Sequence, residues 1–205
     1  MDQIPRDKLA EFWNWFVSVA NDFGEKFENE RLLRELDQKV GELGDFGWEV
    51  GPGVSNPKNN ALVLTPCGHK DLLVVTKFVV ENAPNCPGWE FFYSKPPKKW
   101  KRRFIMHDEE GSEIEIDASN WRYVMLKYPD GMFDMIIKAP ELWQYSENSR
   151  QTAAAILIDG EIGEEKRLNW IETIEVVKEF EDNLRQKNNS INVLARHFNS
   201  LIEKP

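Results

Sequence analysis

FGWEVGPGVSNPKNNALVLTPCGHKDLLVVTKFVVENAPNCPGWEFFY spans residues 46–93. Phe46, Trp48 and Val50 alternate with smaller or charged neighbours, the period of a half-buried strand. GPGVSNPKNN (51–60) is rich in turn residues and residues 61–64 are apolar throughout, so the two runs read as a hairpin with a long loop. Residues 71–83 read as a helix ended by Pro84, with a Leu-Leu-Val-Val core that suits a strand equally well. Residues 88–93 form a third strand, with Trp89, Phe91 and Tyr93 on one face.

The order strand, strand, helix, strand recurs at 121–177. Runs 121–128 and 133–138 flank Pro-Asp-Gly, a strong hairpin turn. A helix begins at Pro140 and continues through 153–157, and 168–177 is a strand. Each copy opens with a tryptophan strand (Trp48, Trp121) and closes near another (Trp89, Trp170). Residue identity between copies is poor, so the repeat is one of topology. The expected fold class is α+β: an antiparallel sheet built from two β-β-α-β halves, with the helices on one face.

Flanking segments cover the rest. Leu9, Phe12, Phe16, Val19 and Phe23 recur at helical spacing within 5–23, while Trp13 and Trp15 lie off that stripe and must cover a second element or be partly exposed. A second helix over 29–43 carries Leu32, Leu33, Leu36, Val40 and Leu43, with Asn29 as N-cap and Gly44 as stop. The tail, 179–204, reads as a helical hairpin broken near Asn188 and Asn189, its second arm carrying Ile191, Leu194, Ala195, Phe198, Leu201 and Ile202. The length fits a single domain over 1–205: a helical region 1–44, a sheet-containing core 46–177 and the tail 179–205.

Composition narrows the function classes. Net charge −9 and a pI near 5.0 disfavour nucleic acid and anionic lipid and suit a basic protein partner. Hydrophobic content of 41% with eight tryptophans gives enough apolar area for a packed core. No apolar run of membrane-spanning length and no signal-peptide pattern occur, and Cys67 and Cys86 are expected as free thiols in a reducing, cytoplasmic setting.

Three stretches carry candidate chemistry. In SKPPKKWKRRF (94–104) two prolines end the third strand and six cations crowd around Trp100. Read as an anion site, Trp89, Tyr93, Lys98, Trp100 and Arg102 would hold a phosphorylated or planar ligand; read structurally, the cations pair with the surplus of acids. Cys67-Gly68-His69 lacks metal-ligand spacing and forms a turn, so neither a metal site nor a catalytic pair is expected there. IDGEIGEE (158–165) lacks the spacing of a calcium loop and reads as a glycine-punctuated turn. With Asp108, Glu109, Glu110, Glu113 and Glu115, its Glu161, Glu164 and Glu165 are the acids expected to face a partner. GPG (51–53) is not a dinucleotide fingerprint, and no nucleophile elbow, zinc helix or phosphate loop is present; no catalytic residue and no cofactor is expected.

WEVGPG (48–53), AP (83–84), PGWEF (87–91), KPPK (95–98) and DGEIGE (159–164) together resemble a group of uncharacterised bacterial proteins, over roughly residues 46–177. The resemblance implies a shared fold, and no activity is attached to it. More loosely, the small α+β plan is similar to bacterial regulators and to immunity proteins encoded beside toxins. The expected function is a non-enzymatic protein-binding module, immunity-like or regulatory, whose acidic surface speeds pairing with a basic partner. The alternative is a binder or enzyme for an anionic ligand at 89–103. A third reading is a subunit whose tail helix, through Phe198 and Leu201, packs against a second copy.

Overall fold

The computed structural model describes residues 4–24, 26–56 and 59–202; Pro57 and Lys58 of the expected 51–60 turn, and the end of the expected tail helix, lie outside the described residues. The fold is α+β, with six α-helices and three small sheets among those residues. The chain divides at Lys95/Pro96 into two compact units, each with its own core.

In the first unit, helices α1 (Arg6–Val19) and α2 (Glu30–Leu43) cover the sheet β1 (Gly47–Pro52), β2 (Asn60–Thr65), β3 (Trp89–Phe92). Asn29 caps α2, its side chain accepting the Leu32 N–H at 3.4 Å. The ambiguous segment is the helix α3 (Leu73–Glu81). It forms the crossover from β2 to β3, which pair in parallel, whereas β1 and β2 pair antiparallel. A helix-length connection brings the chain back in the same direction, so an all-antiparallel sheet is excluded. The off-stripe tryptophans each serve a second element. Trp13 is buried and donates to the Val79 carbonyl on α3 at 3.1 Å, and Trp15 donates to Glu35 on α2 at 2.7 Å. Phe16 meets Trp89 edge-on at 4.9 Å.

The second unit repeats the plan. Strands β4 (Arg103–His107) and β5 (Glu113–Asp117) form an antiparallel hairpin. Strands β6 (Arg122–Lys127) and β7 (Phe133–Lys138) form another. The chain then crosses through α4 (Glu147–Ile162) and α5 (Glu164–Trp170) to β8 (Ile171–Val177), which pairs in parallel with β7. The two β-β-α-β copies therefore exist as topology, but each builds its own mixed sheet.

Three local expectations change. Residues 158–165, expected as a turn, are helical except at Gly163, whose φ of +88° makes the sharp corner between α4 and α5. The first part of the expected 168–177 strand completes α5. Residues 182–187, expected as the first arm of a helical hairpin, make turns instead. Their apolar residues Phe180 and Leu184 sit on a small cluster with Val124 and Ile136. The chain then adds β9 (Asn189–Ser190) to the edge of β6 before α6 (Leu194–Ile202).

Candidate functional site

The basic-aromatic segment crosses the unit boundary. Trp89, in the first unit, is buried, and its indole N–H donates to the Ala20 carbonyl at 3.2 Å. Tyr93, in the same unit, accepts the Thr76 hydroxyl on its backbone carbonyl at 2.7 Å, and the Lys77 ammonium lies 5.5 Å from its ring. Lys95 pairs with Glu49 at 2.8 Å. Lys98, Trp100 and Arg102 belong to the second unit, where they lock onto the end of α4.

That lock is built from the DGEIGE residues. The backbone N–H of Lys98 donates to the Gly160 carbonyl at 2.7 Å, satisfying one of the orphan carbonyls of the last helical turn. The Trp100 ring lies close against Gly160, and a Cβ there would come within 2.2 Å of Cζ2. Its indole N–H donates to Glu161 Oε1 at 3.0 Å. Arg102 donates through Nη2 to Glu161 Oε2 at 3.0 Å, while its Nε sits 2.9 Å from Oε1 but out of hydrogen-bond alignment. Arg102 takes a left-handed φ of +59°, a backbone state that costs a non-glycine residue about 1–2 kcal/mol. One turn away, Arg167 grips Asp159 with two bonds of 2.5 and 3.2 Å.

The exposure expected of the 161–165 acids is thereby corrected: Glu161 is 8% exposed, Glu164 fully buried and Glu165 half-buried. A helix, not a loop, holds them, and Glu161 is bound within the unit by Trp100 and Arg102.

The acids of 108–117 behave differently. The chain between the basic segment and Ile114 contains a strand that its charge disguises. In β4, Phe104 and Met106 face the core side while Arg103, Ile105 and His107 face out. Opposite them on β5 stand Asp117, Glu115 and Glu113. Arg103 bonds Asp117 at 2.9 Å, and His107 lies 3.9 Å from Glu113. Asp108 closes the hairpin turn by accepting the Glu110 and Ser112 N–H groups at 3.0 and 2.7 Å. Glu109 reaches to the first turn of α4, accepting the hydroxyls of Ser146 and Ser149, the latter at 2.9 Å. Those bonds, Ser146 first, hold its carboxyl below the usual range. Glu110, Glu113 and Glu115 remain on the surface, and Glu115 stands directly across the ladder from Ile105, which is 57% exposed.

Cys67 is exposed and Cys86 buried, and burial pushes the Cys86 thiol up. Among the described residues no three His, Cys, Asp or Glu side chains converge on a metal position, and no helix is long and apolar enough to cross a membrane. Comparison with protein-family models, curated proteins and solved structures finds no match, so functional inference rests on the geometry of this chain.

Proposed function

We propose that the protein is a binding module for a basic protein partner and that the outer face of the β4–β5 hairpin is its recognition surface. One observation carries this reading: the exposed Ile105 stands directly opposite Glu115 on the outer face of a cross-strand-paired hairpin, with Glu113 on the same face and Glu110 exposed in the turn beyond it. An exposed apolar residue beside exposed carboxylates matches the anchor-and-rim pattern of protein interfaces. The surplus of negative charge attracts a basic partner and speeds encounter. Asp108 and Glu109 shape this surface by fixing the turn. An immunity-like or regulatory role in a bacterial cytoplasm is the biological form of this proposal. The anion-ligand alternative has less support, because Trp89, Trp100 and Arg102 are committed to internal partners.

The test compares wild type with the triple variant Glu110→Gln, Glu113→Gln, Glu115→Gln, and separately with Ile105→Ser, in pull-downs from native lysate at low and high salt. The expected result is a stoichiometric protein of high pI that salt releases and that neither variant retains. A partner captured equally by the variants, or insensitive to salt, refutes the hairpin as the surface.

A further inference from the structure

The region around α6 has the opposite charge character from the hairpin. From 183 to 202 the chain contains no aspartate or glutamate, although it carries 35 of them in 205 residues. Within that stretch lie Arg185, Lys187, Arg196 and His197. Two further cations reach α6 from elsewhere in the same unit. Lys127 donates to the Leu201 carbonyl at 3.0 Å, and Lys166 donates to the Asn199 side chain at 2.7 Å. The segment carrying α6 is thus locally cationic in an acidic protein.

A surface pocket of about 410 Å³ opens on this face, lined by Asn189, Val193, Arg196, His197 and Ser200, with no carboxylate among them. His197 is held from behind. Its Nδ1 lies 2.7 Å from the hydroxyl of Tyr123, a residue with no solvent exposure. Burial pushes that hydroxyl up to about 12, and its contact with Nδ1 fixes the orientation of the ring. A phenylalanine would fill the core position of Tyr123 without burying a hydroxyl; the hydroxyl orients a histidine.

We propose that this pocket binds the phosphoryl group of a small phosphorylated molecule. Arg196 and His197 both line the pocket, and guanidinium and imidazole N–H groups are donors of the kind that bind a tetrahedral oxyanion. The volume exceeds what one phosphate fills and lies in the range of small-molecule pockets. The site is separate from the acidic hairpin, and its failure would leave that proposal standing.

Inorganic phosphate is the probe. Side-chain NMR signals of Arg196 and His197 are followed while phosphate is titrated into the full chain at constant ionic strength, with chloride and acetate as parallel arms. Saturable shifts in the millimolar range are expected with phosphate alone. Arg196→Gln, at an exposed position that leaves the fold intact, weakens binding at least about tenfold. Tyr123→Phe weakens it several-fold by freeing the imidazole, and Lys187→Gln leaves it within about twofold. Shifts of equal size with chloride reveal simple ionic screening and overturn the site. Acetate binding as well as phosphate overturns the phosphoryl assignment, and an Arg196→Gln protein that still binds normally overturns the pocket.

Discussion

Gly160 lies inside a helix, where replacing glycine by alanine ordinarily stabilises by up to about 1 kcal/mol. The opposite outcome is expected here. A Cβ at 160 would lie 2.2, 2.7 and 2.9 Å from three ring atoms of Trp100. The ring would have to retreat by more than 1 Å to restore ordinary contact, and it is pinned from several sides. Its indole N–H bonds Glu161 at 3.0 Å, it stacks on Phe104 at 5.7 Å, and the Lys98 N–H ties the same segment to the Gly160 carbonyl. Losing a hydrogen bond to a carboxylate costs about 1.5–3 kcal/mol, and loosening the aromatic pair about 0.5–1.5 kcal/mol more. Against the helical gain, Gly160→Ala destabilises by about 1–3 kcal/mol, in line with overpacked cores. Urea unfolding followed by far-UV circular dichroism measures this. The decisive comparison repeats the substitution in a Trp100→Ala background, where the clash is gone and the helical gain alone remains. Gly160→Ala must then become neutral or stabilising. If it stabilises the native sequence, or destabilises both backgrounds equally, the Trp100 contact is not what the glycine serves.

Further outcomes follow from the same geometry. Arg167→Met leaves the nearly buried Asp159 carboxylate without its bidentate partner and costs about 2–4 kcal/mol in urea unfolding. The Tyr123 hydroxyl, pushed up to about 12 in the fold from an ordinary 10, keeps its proton longer than the unfolded chain does. Its contribution is intact below pH 10 and lost as pH rises from 10 to 12, so stability falls in that window by roughly 2 kcal/mol more in wild type than in Tyr123→Phe. Neutralising Glu110, Glu113 and Glu115 moves folding stability by less than about 0.5 kcal/mol, since these acids face solvent. A thermal melt that drops sharply in that variant would mean the acids serve the fold and would remove the reason to assign them to a partner.

The β-β-α-β repeat was legible because it rests on local signals: alternation at Trp48, a Pro-Asp-Gly turn at 129–131, and helix-length connections. Strand direction and sheet partnership were not, because they depend on where the crossover returns the chain, and both copies join their second and third strands in parallel. The charged stretches divided along the same line. Periodicity cannot reveal which distant partner an acid or a cation has, so 158–165 read as a turn, and pairing of the 95–103 cations with acids was expected without its partners. Arg102 finds Glu161 across 59 residues, and Trp100 finds the same carboxylate across 61. The two motifs that stood out most in the sequence are therefore two halves of one internal joint. Strand β4 was hidden for a related reason: its outward residues Arg103 and His107 are charged or polar, so only Phe104 and Met106 carried the alternation. Once that strand is in place, β5 no longer stands alone, and the acids following it change from a loose run into a fixed array on the hairpin that exposes Ile105. A solvated charge run and a recognition surface have the same composition; what separates them is whether the backbone beneath is held. Asp108 and Glu109 hold it here, through the hairpin turn and the first turn of α4. That fixed backbone, more than the count of acids, is the reason to look for a partner on this face.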